Sequence, residues 1–276
     1  MAAVLLALGA SATWGLADFF GPLKGRTLGP LRVLVYAQLG SLTTIALIVA
    51  ARGEGPAHPA AFVAVPAAVS GTLALYAYYR GMQVGAMSVV APISGVSAVI
   101  PVIVGLASGD RPSTVTAAGI AAALVGVYLA SREPHREGAR LAAGVGLALL
   151  AALGFGGYFP LMHTAGHADF WWASLLFRMT STSVILGAAL IRRPPLAISR
   201  IDLPVVILVG IGDMTGNVLF AAASAHGLVS VTSVLASLYP VVTIVLAWTV
   251  LGERVAPSQQ MGIGLTLAGV ALISAG

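Results

Sequence analysis

Ten apolar runs, each about as long as a bilayer crossing, follow one another along this chain with little between them. They cover residues 2–23, 31–51, 59–80, 86–108, 113–131, 141–162, 169–191, 203–224, 229–251 and 256–275. A helix needs about 20 apolar residues to cross the hydrocarbon layer, so each run predicts one transmembrane helix. Glycine, proline or charge closes the runs, and the breaks are short, from Lys24–Pro30 to Gly252–Val255. No break has room for an extramembrane domain. Function is therefore expected inside the helix bundle.

The chain also repeats itself. Gly85-Ala-Met-Ser88-Val returns as Gly227-Leu-Val-Ser230-Val after 142 positions, and Gly109-Asp-Arg111 returns as Gly252-Glu-Arg254 after 143. The segment Gly119–Ser131 returns as Gly262–Ser274, again after 143, with seven of thirteen residues identical. Glycines and charged turns at a constant offset point to a tandem duplication. The expected organisation is a first five-helix repeat over 1–131, a connecting loop over 132–140 and a second five-helix repeat over 141–276. Five is odd, so the second copy enters the membrane from the opposite side. The fold class is thus an all-α integral membrane protein, ten transmembrane helices as two inverted five-helix repeats. Such proteins place their substrate site near the midplane, between the repeats.

Composition agrees with a bilayer environment. Hydrophobic residues make up 58% of the chain and charged ones 8%, against about 25% charged in a soluble domain. The formal net charge is +5, but the basic residues are spread over short loops, not gathered into a nucleic-acid-binding face. There is no cysteine, which excludes a disulfide framework and thiolate chemistry. Ala10-Ser11-Ala12 resembles a signal-peptide cleavage site. The basic region that precedes one is missing, and the apolar run continues past it, so the first helix is expected to be retained.

Basic residues also orient the chain. Loops on the side that carries both termini hold Arg52 and Arg111. The opposite loops hold Lys24, Arg26, Arg80, Arg132, Arg136, Arg140, Arg192, Arg193, Arg200 and Arg254. Basic loops stay in the cytoplasm, so both termini are expected on the non-cytoplasmic side of a cell membrane.

Three charged residues fall well within the runs: Asp18, Arg178 and Asp213. Charge at such depth usually faces the bundle interior or a water-filled cavity. Counted from their ends, Arg178 and Asp213 differ in depth by roughly 3 Å, so adjacent helices could pair them. Two readings stay open: a structural salt bridge, or a site for the charged groups of a zwitterion or for a proton. Asp213, Asn217, Phe220 and Ser224 share one helical face. At a constant offset of 141, Asp213, Asn217 and Phe220 answer to Thr72, Tyr76 and Tyr79 of the third run. Ser11, Trp14 and Asp18 share a face of the first run, and Trp14 is too deep for an interfacial belt. The candidate cavity is therefore lined by Trp14, Asp18, Gln38, Thr72, Tyr76, Tyr79, Tyr158, Arg178, Asp213 and Asn217. Ser94, Ser97, Ser233 and Ser237 lie near Pro92, Pro101 and Pro240. They either line a path or satisfy carbonyls freed by proline.

The chain resembles the drug/metabolite transporter superfamily, and within it the EamA-type ten-helix exporters. The features that carry the resemblance are Trp14-Gly15 echoed by Phe155-Gly156, the Gly85 and Gly227 segments, and Tyr239-Pro240. The turns Gly109-Asp110 and Gly252-Glu253 and the pairs Gly119/Gly126 and Gly262/Gly269 add to it. One departure is Ala98 in the place of Pro240, the proline of the first half being displaced to Pro101. The resemblance covers nearly the whole chain and implies a transporter, without naming its cargo.

Enzyme signatures are absent: the sequence has no HExxH, GxSxG or Walker loop. His163 and His167 are four apart but fall at a loop, a weak metal site, and no cofactor is expected. The expected function is a secondary transporter of small organic solutes, exporting amino acids or related metabolites, with protons as the first choice of coupling ion and facilitated diffusion as the alternative. Drugs or nucleotide-linked sugars are the alternative cargo, and a membrane-embedded enzyme or lipid-handling scaffold is the rival class. The bilayer and a small molecule are the expected partners, with the chain as a monomer or homodimer.

Overall fold

The structure is a computed structural model that describes residues 1–84, 94, 96–131, 145–251 and 256–275. The Gly85 motif, the connecting loop 132–140 and the Gly252-Glu253-Arg254 turn lie outside the described residues. The elements are α1 (Ala2–Leu28), α2 (Pro30–Arg52) and α3 (Ala64–Val84, after a 3₁₀ turn at Pro59–Val63). Then come α4 (Val99–Ala107) and α5 (Thr114–Ser131). Val145–Arg192 is one helical stretch broken at Asp169, and its two parts are called α6 (145–168) and α7 (170–192). The last four are α8 (Asp202–Ser224), α9 (Val229–Ala236), α10 (Tyr239–Leu251) and α11 (Pro257–Ala275). The described residues hold no strand.

Among the described residues six stretches are long and apolar enough to cross a membrane: 2–25, 30–52, 59–81, 146–192, 202–224 and 229–250. The fourth, 47 residues long, would reach roughly 70 Å if straight, more than twice a hydrocarbon layer of ~30 Å. Asp169 is where it breaks, with φ −165° and ψ 99°. Its Oδ1 accepts from the backbone N–H groups of Trp171 and Trp172, both at 3.1 Å, and its Oδ2 from that of Ala57 at 3.0 Å. That is an N-cap, which satisfies donors left over at the start of a helix. The sixth and seventh runs are therefore joined at one capped residue instead of across the six-residue loop that the sequence suggested.

The ninth run also differs. It is two helices, α9 and α10, parted at Ser237 and Leu238. Pro240 has no N–H to donate back to Ala236, so the ladder stops there. In the first half Pro101 sits inside the first turn of α4, where a proline is tolerated.

The two halves hold each other through small residues. A Cβ built on Gly126 would lie 2.5 Å from the Thr266 backbone nitrogen, and one on Gly119 would lie 2.8 Å from the Gly269 carbonyl oxygen. α5 and α11 therefore pack antiparallel with their backbones almost touching. Gly264 meets nothing within 4 Å and faces away from this seam. The seam joins the two halves of one chain. Gly269→Leu is expected to push α5 and α11 apart, because its Cβ would already stand 2.6 Å from Ala123 N. Overpacking of this kind costs about 1–3 kcal/mol or more, which thermal unfolding in detergent would read as a clear fall in Tm.

Contacts between the halves come in matched pairs. Gly15 abuts Val242 and the Tyr239 carbonyl, and Gly156 abuts Ile100. Gly156 stands 141 positions after Gly15, and Val242 stands 142 after Ile100. Each half thus gives the other the same contact that it receives. The Gly109-Asp110 turn belongs to this set of cross-half contacts. Gly109, at φ 101°, closes α4 in a conformation that glycine adopts freely. Asp110 Oδ2 then accepts from Ser230 N at 2.9 Å and from Ser230 Oγ at 2.7 Å, capping α9 of the other half.

Candidate functional site

A cavity lies where α1, α2, α3, α6, α7, α8 and α10 converge. α1 supplies Trp14 and Asp18, α2 Gln38, and α3 Gly71, Thr72 and Leu75. α6 supplies Phe155, Tyr158 and Phe159, and α7 supplies Phe177, Arg178 and Ser181. Asp213 and Asn217 of α8 and Tyr239 of α10 complete the wall. The space left for the centres of water-sized groups is about 80 Å³. One water needs roughly 10–15 Å³ on that measure, so the cavity takes several waters or a compact solute.

Polar wall residues are fixed by one another. Arg178 is buried, 1% exposed, and donates from Nη2 to Asp213 Oδ2 at 2.8 Å and from Nη1 to Gln38 Oε1 at 2.9 Å. Ser181 Oγ donates to the same Gln38 oxygen at 3.1 Å. The Arg178 guanidinium also lies over the Phe177 ring, 5.7 Å from its centroid. Arg178 Nε has no partner among the described residues. The Asp213 side chain is 34% exposed, so one end of this ion pair is dry and the other is open. The arginine is buried, and its carboxylate partner borders the cavity.

A second network aligns α1, α6 and α8. Asn217 Nδ2 donates to the Asp213 carbonyl at 2.8 Å, and Tyr158 OH donates to Asn217 Oδ1 at 2.7 Å. Trp14 Nε1 donates to the Asp213 carbonyl at 3.2 Å. The indole fits because Gly216 leaves no side chain in its way: a Cβ there would stand 2.5 Å from Trp14 Cδ1. The rings then form one cluster. Trp14 lies 6.0 Å from Tyr158 and 6.4 Å from Tyr239, and Tyr158 lies 5.4 Å from Phe177 between centroids.

Eight of the ten expected residues therefore line this cavity: Trp14, Asp18, Gln38, Thr72, Tyr158, Arg178, Asp213 and Asn217. Tyr76 and Tyr79 do not. They line a separate cavity with Leu31, Leu34, Arg80 and Arg192 at the basic end of the bundle, and Tyr76 is 45% exposed. The cause is depth along α3: Tyr79 lies seven residues beyond Thr72, about 10 Å further along the axis. Asn217 accordingly meets Tyr158 and not Tyr76.

The sequence did not point to Gly71, Leu75, Phe155, Phe159, Phe177, Ser181 and Tyr239 as wall residues. Two signals were available. Ser181 follows Arg178 by one helical turn, and Phe159 stands 141 positions after Asp18. Ser94 and Ser233 are buried with no hydrogen-bond partner among the described residues, and Ser237 donates to the Val234 carbonyl at 2.8 Å; none of the three lines the cavity. His163 Nε2 donates to the Gly227 carbonyl at 3.0 Å, and it borders an open hollow with His58 and His167. Among the described residues no group of three or more His, Asp or Glu stands close enough to hold a metal ion.

Comparison with known proteins agrees with this architecture. The EamA-like transporter family matches the chain over residues 1–132 and 142–275. No curated protein sequence matches it. Among solved structures, one described as "Crystal structure of protein" superposes with a TM-score of 0.79 at 15% identity, covering 99% of this chain and 98% of that one. A likeness at that identity shows the fold. The family is one of multi-pass membrane transporters of small solutes, and with nearly the whole length matched, the chain belongs to the EamA-like transporter family.

Proposed function

We propose that this protein is a gradient-driven transporter that carries small organic solutes through the cavity between Asp18, Arg178 and Asp213, and that it exports amine-bearing metabolites related to amino acids. The observation that carries the reading is the cavity wall itself. Three charged side chains and a fixed polar network lie deep in apolar helices, where a bilayer penalises charge, and they surround a space that fits a compact solute. Nucleotide-linked sugars fit less well, because the one guanidinium in the wall is already engaged by Asp213 and Gln38.

The proposed architecture is ten helices in two inverted five-helix repeats, 1–131 and 141–276. The matched contacts of Gly15 with Val242 and Gly156 with Ile100 support it, since a two-fold axis makes each half give the contact that it receives. Transport then proceeds by rocking of one repeat against the other, with both termini on the non-cytoplasmic side and protons as the coupling ion. Proteoliposome counterflow with a panel of amino acids, amines, sugars and nucleotides tests the reading. At least one small solute is expected to exchange saturably. A well-folded protein that exchanges none of them would contradict it.

A further inference from the structure

Two carboxylates border the cavity, and one guanidinium serves them. That guanidinium is spoken for. Its Nη2 is on Asp213 and its Nη1 on Gln38, and the side chain is 1% exposed. Asp18 has no such partner: among the described residues nothing donates a hydrogen bond to it, and the other carboxylate in the same wall is Asp213. With both carboxylates ionised the wall carries one unbalanced negative charge. A charge of that kind inside a bilayer is paired, hydrated or functional.

The remaining wall is aromatic. Trp14, Phe155, Tyr158, Phe159, Phe177 and Tyr239 surround the space. Ring faces attract cations, and their apolar bodies accept alkyl or aryl groups. The cation in the wall, Arg178, is buried and held by Asp213 and Gln38, so among the described residues no exposed cation faces the cavity to receive a carboxylate. An α-amino acid brought here would place its own carboxylate against Asp18 and Asp213. Like charges at such range are repelled in a low-dielectric site.

Resting on the transport reading above, we propose that the cavity binds small organic cations, ammonium groups on a compact apolar or aromatic body without a carboxylate, with Asp18 as the counter-ion and the ring cluster as the cage. The ammonium supplies the positive charge that the wall lacks. It sits between the Asp18 carboxylate and the free oxygen of Asp213. Asp213 is held in place by Arg178, whereas Asp18 is left to the ligand.

Three probes with one skeleton separate the possibilities: phenethylamine, phenylalanine and 3-phenylpropionate. Equilibrium binding of each is measured on the purified full-length protein in lipid nanodiscs, for the wild type and Asp18→Asn. The proposal expects phenethylamine to bind at least about tenfold more tightly than phenylalanine, and 3-phenylpropionate not to bind. Asp18→Asn is expected to weaken phenethylamine by a similar factor while Tm holds or rises, because an unpaired carboxylate has been removed from the membrane interior. Phenylalanine binding as tightly as phenethylamine would overturn the cation proposal and leave transport through the cavity standing. So would phenethylamine binding that Asp18→Asn leaves unchanged. If no probe binds, the cation proposal falls, and counterflow with the wider panel decides the transport reading separately.

Discussion

Asp213→Ala is expected to lower the stability of this protein by about 3 kcal/mol, near the low end of the range for breaking a buried ion pair. The size follows from an asymmetry in the pair. Arg178 is 1% exposed, whereas the Asp213 side chain is 34% exposed. Removing the aspartate leaves a buried cation without its carboxylate partner. Removing the arginine leaves a carboxylate that the cavity can hydrate. Arg178→Met should therefore cost less than Asp213→Ala, and Ser181 would still donate to Gln38. The double variant should recover most of the stability lost in Asp213→Ala, since a packed apolar group in place of a buried ion pair is often neutral. Thermal unfolding of the three variants in detergent measures this. Asp213→Ala as stable as the wild type would mean that the Arg178 charge is balanced elsewhere.

Gly210→Ala is expected to be the most damaging single added methyl group among the described glycines. A Cβ on Gly210 would stand 2.5 Å from the Ala37 carbonyl carbon and 2.7 Å from its Cα. These are backbone atoms, so no rotamer change relieves the clash and α2 and α8 must separate. Overpacking of this order costs about 1–3 kcal/mol, occasionally more. The functional loss is expected to be larger than the loss of stability. Gly210 lies one helical turn from Asp213, and Ala37 adjoins Gln38. Moving the two helices apart therefore pulls the two acceptors of Arg178 away from each other. The variant should reach the membrane at reduced level and carry little solute per folded molecule. Transport normalised to folded protein that matches the wild type would argue that α2 and α8 can slide without disturbing the site.

These two positions show what could be read from the sequence. The helices were legible because an apolar run of bilayer length has one structure in lipid. Asp18, Arg178 and Asp213 were legible because charge inside such a run needs a reason. The pairing of Arg178 with Asp213 followed from matched depth along two helices. What the sequence left open depended on packing. Gly210 stands in a run of small and branched residues, and nothing in that run says that Ala37 lies against it. Tyr76 and Tyr79 share the helical face of Thr72 but lie nearer the basic end of the bundle, and facing alone does not report depth. Gln38 could be named as a wall residue, but a single amide in an apolar helix gives no hint that it is the second acceptor of a buried arginine. The repeat offset led to Thr72, but Asp18 answers to Phe159 and Arg178 to Ala37. The duplicated halves therefore build an unsymmetrical wall, and a symmetrical reading of it assigns some residues to the wrong place.

The absence of cysteine makes one measurement especially direct for the claim that solute passes through this cavity. Leu75 is half-buried and lines the cavity from α3; Leu73, two residues away and 52% exposed, points outward from the same helix. Leu75→Cys and Leu73→Cys are reconstituted separately, and flux of a transported solute is measured before and after treatment with a methanethiosulfonate reagent. Modification of the Leu75→Cys variant is expected to abolish flux and to be slowed by saturating solute, while the Leu73→Cys variant keeps its flux after the same treatment. Full flux through completely modified Leu75→Cys protein would contradict transport by this route.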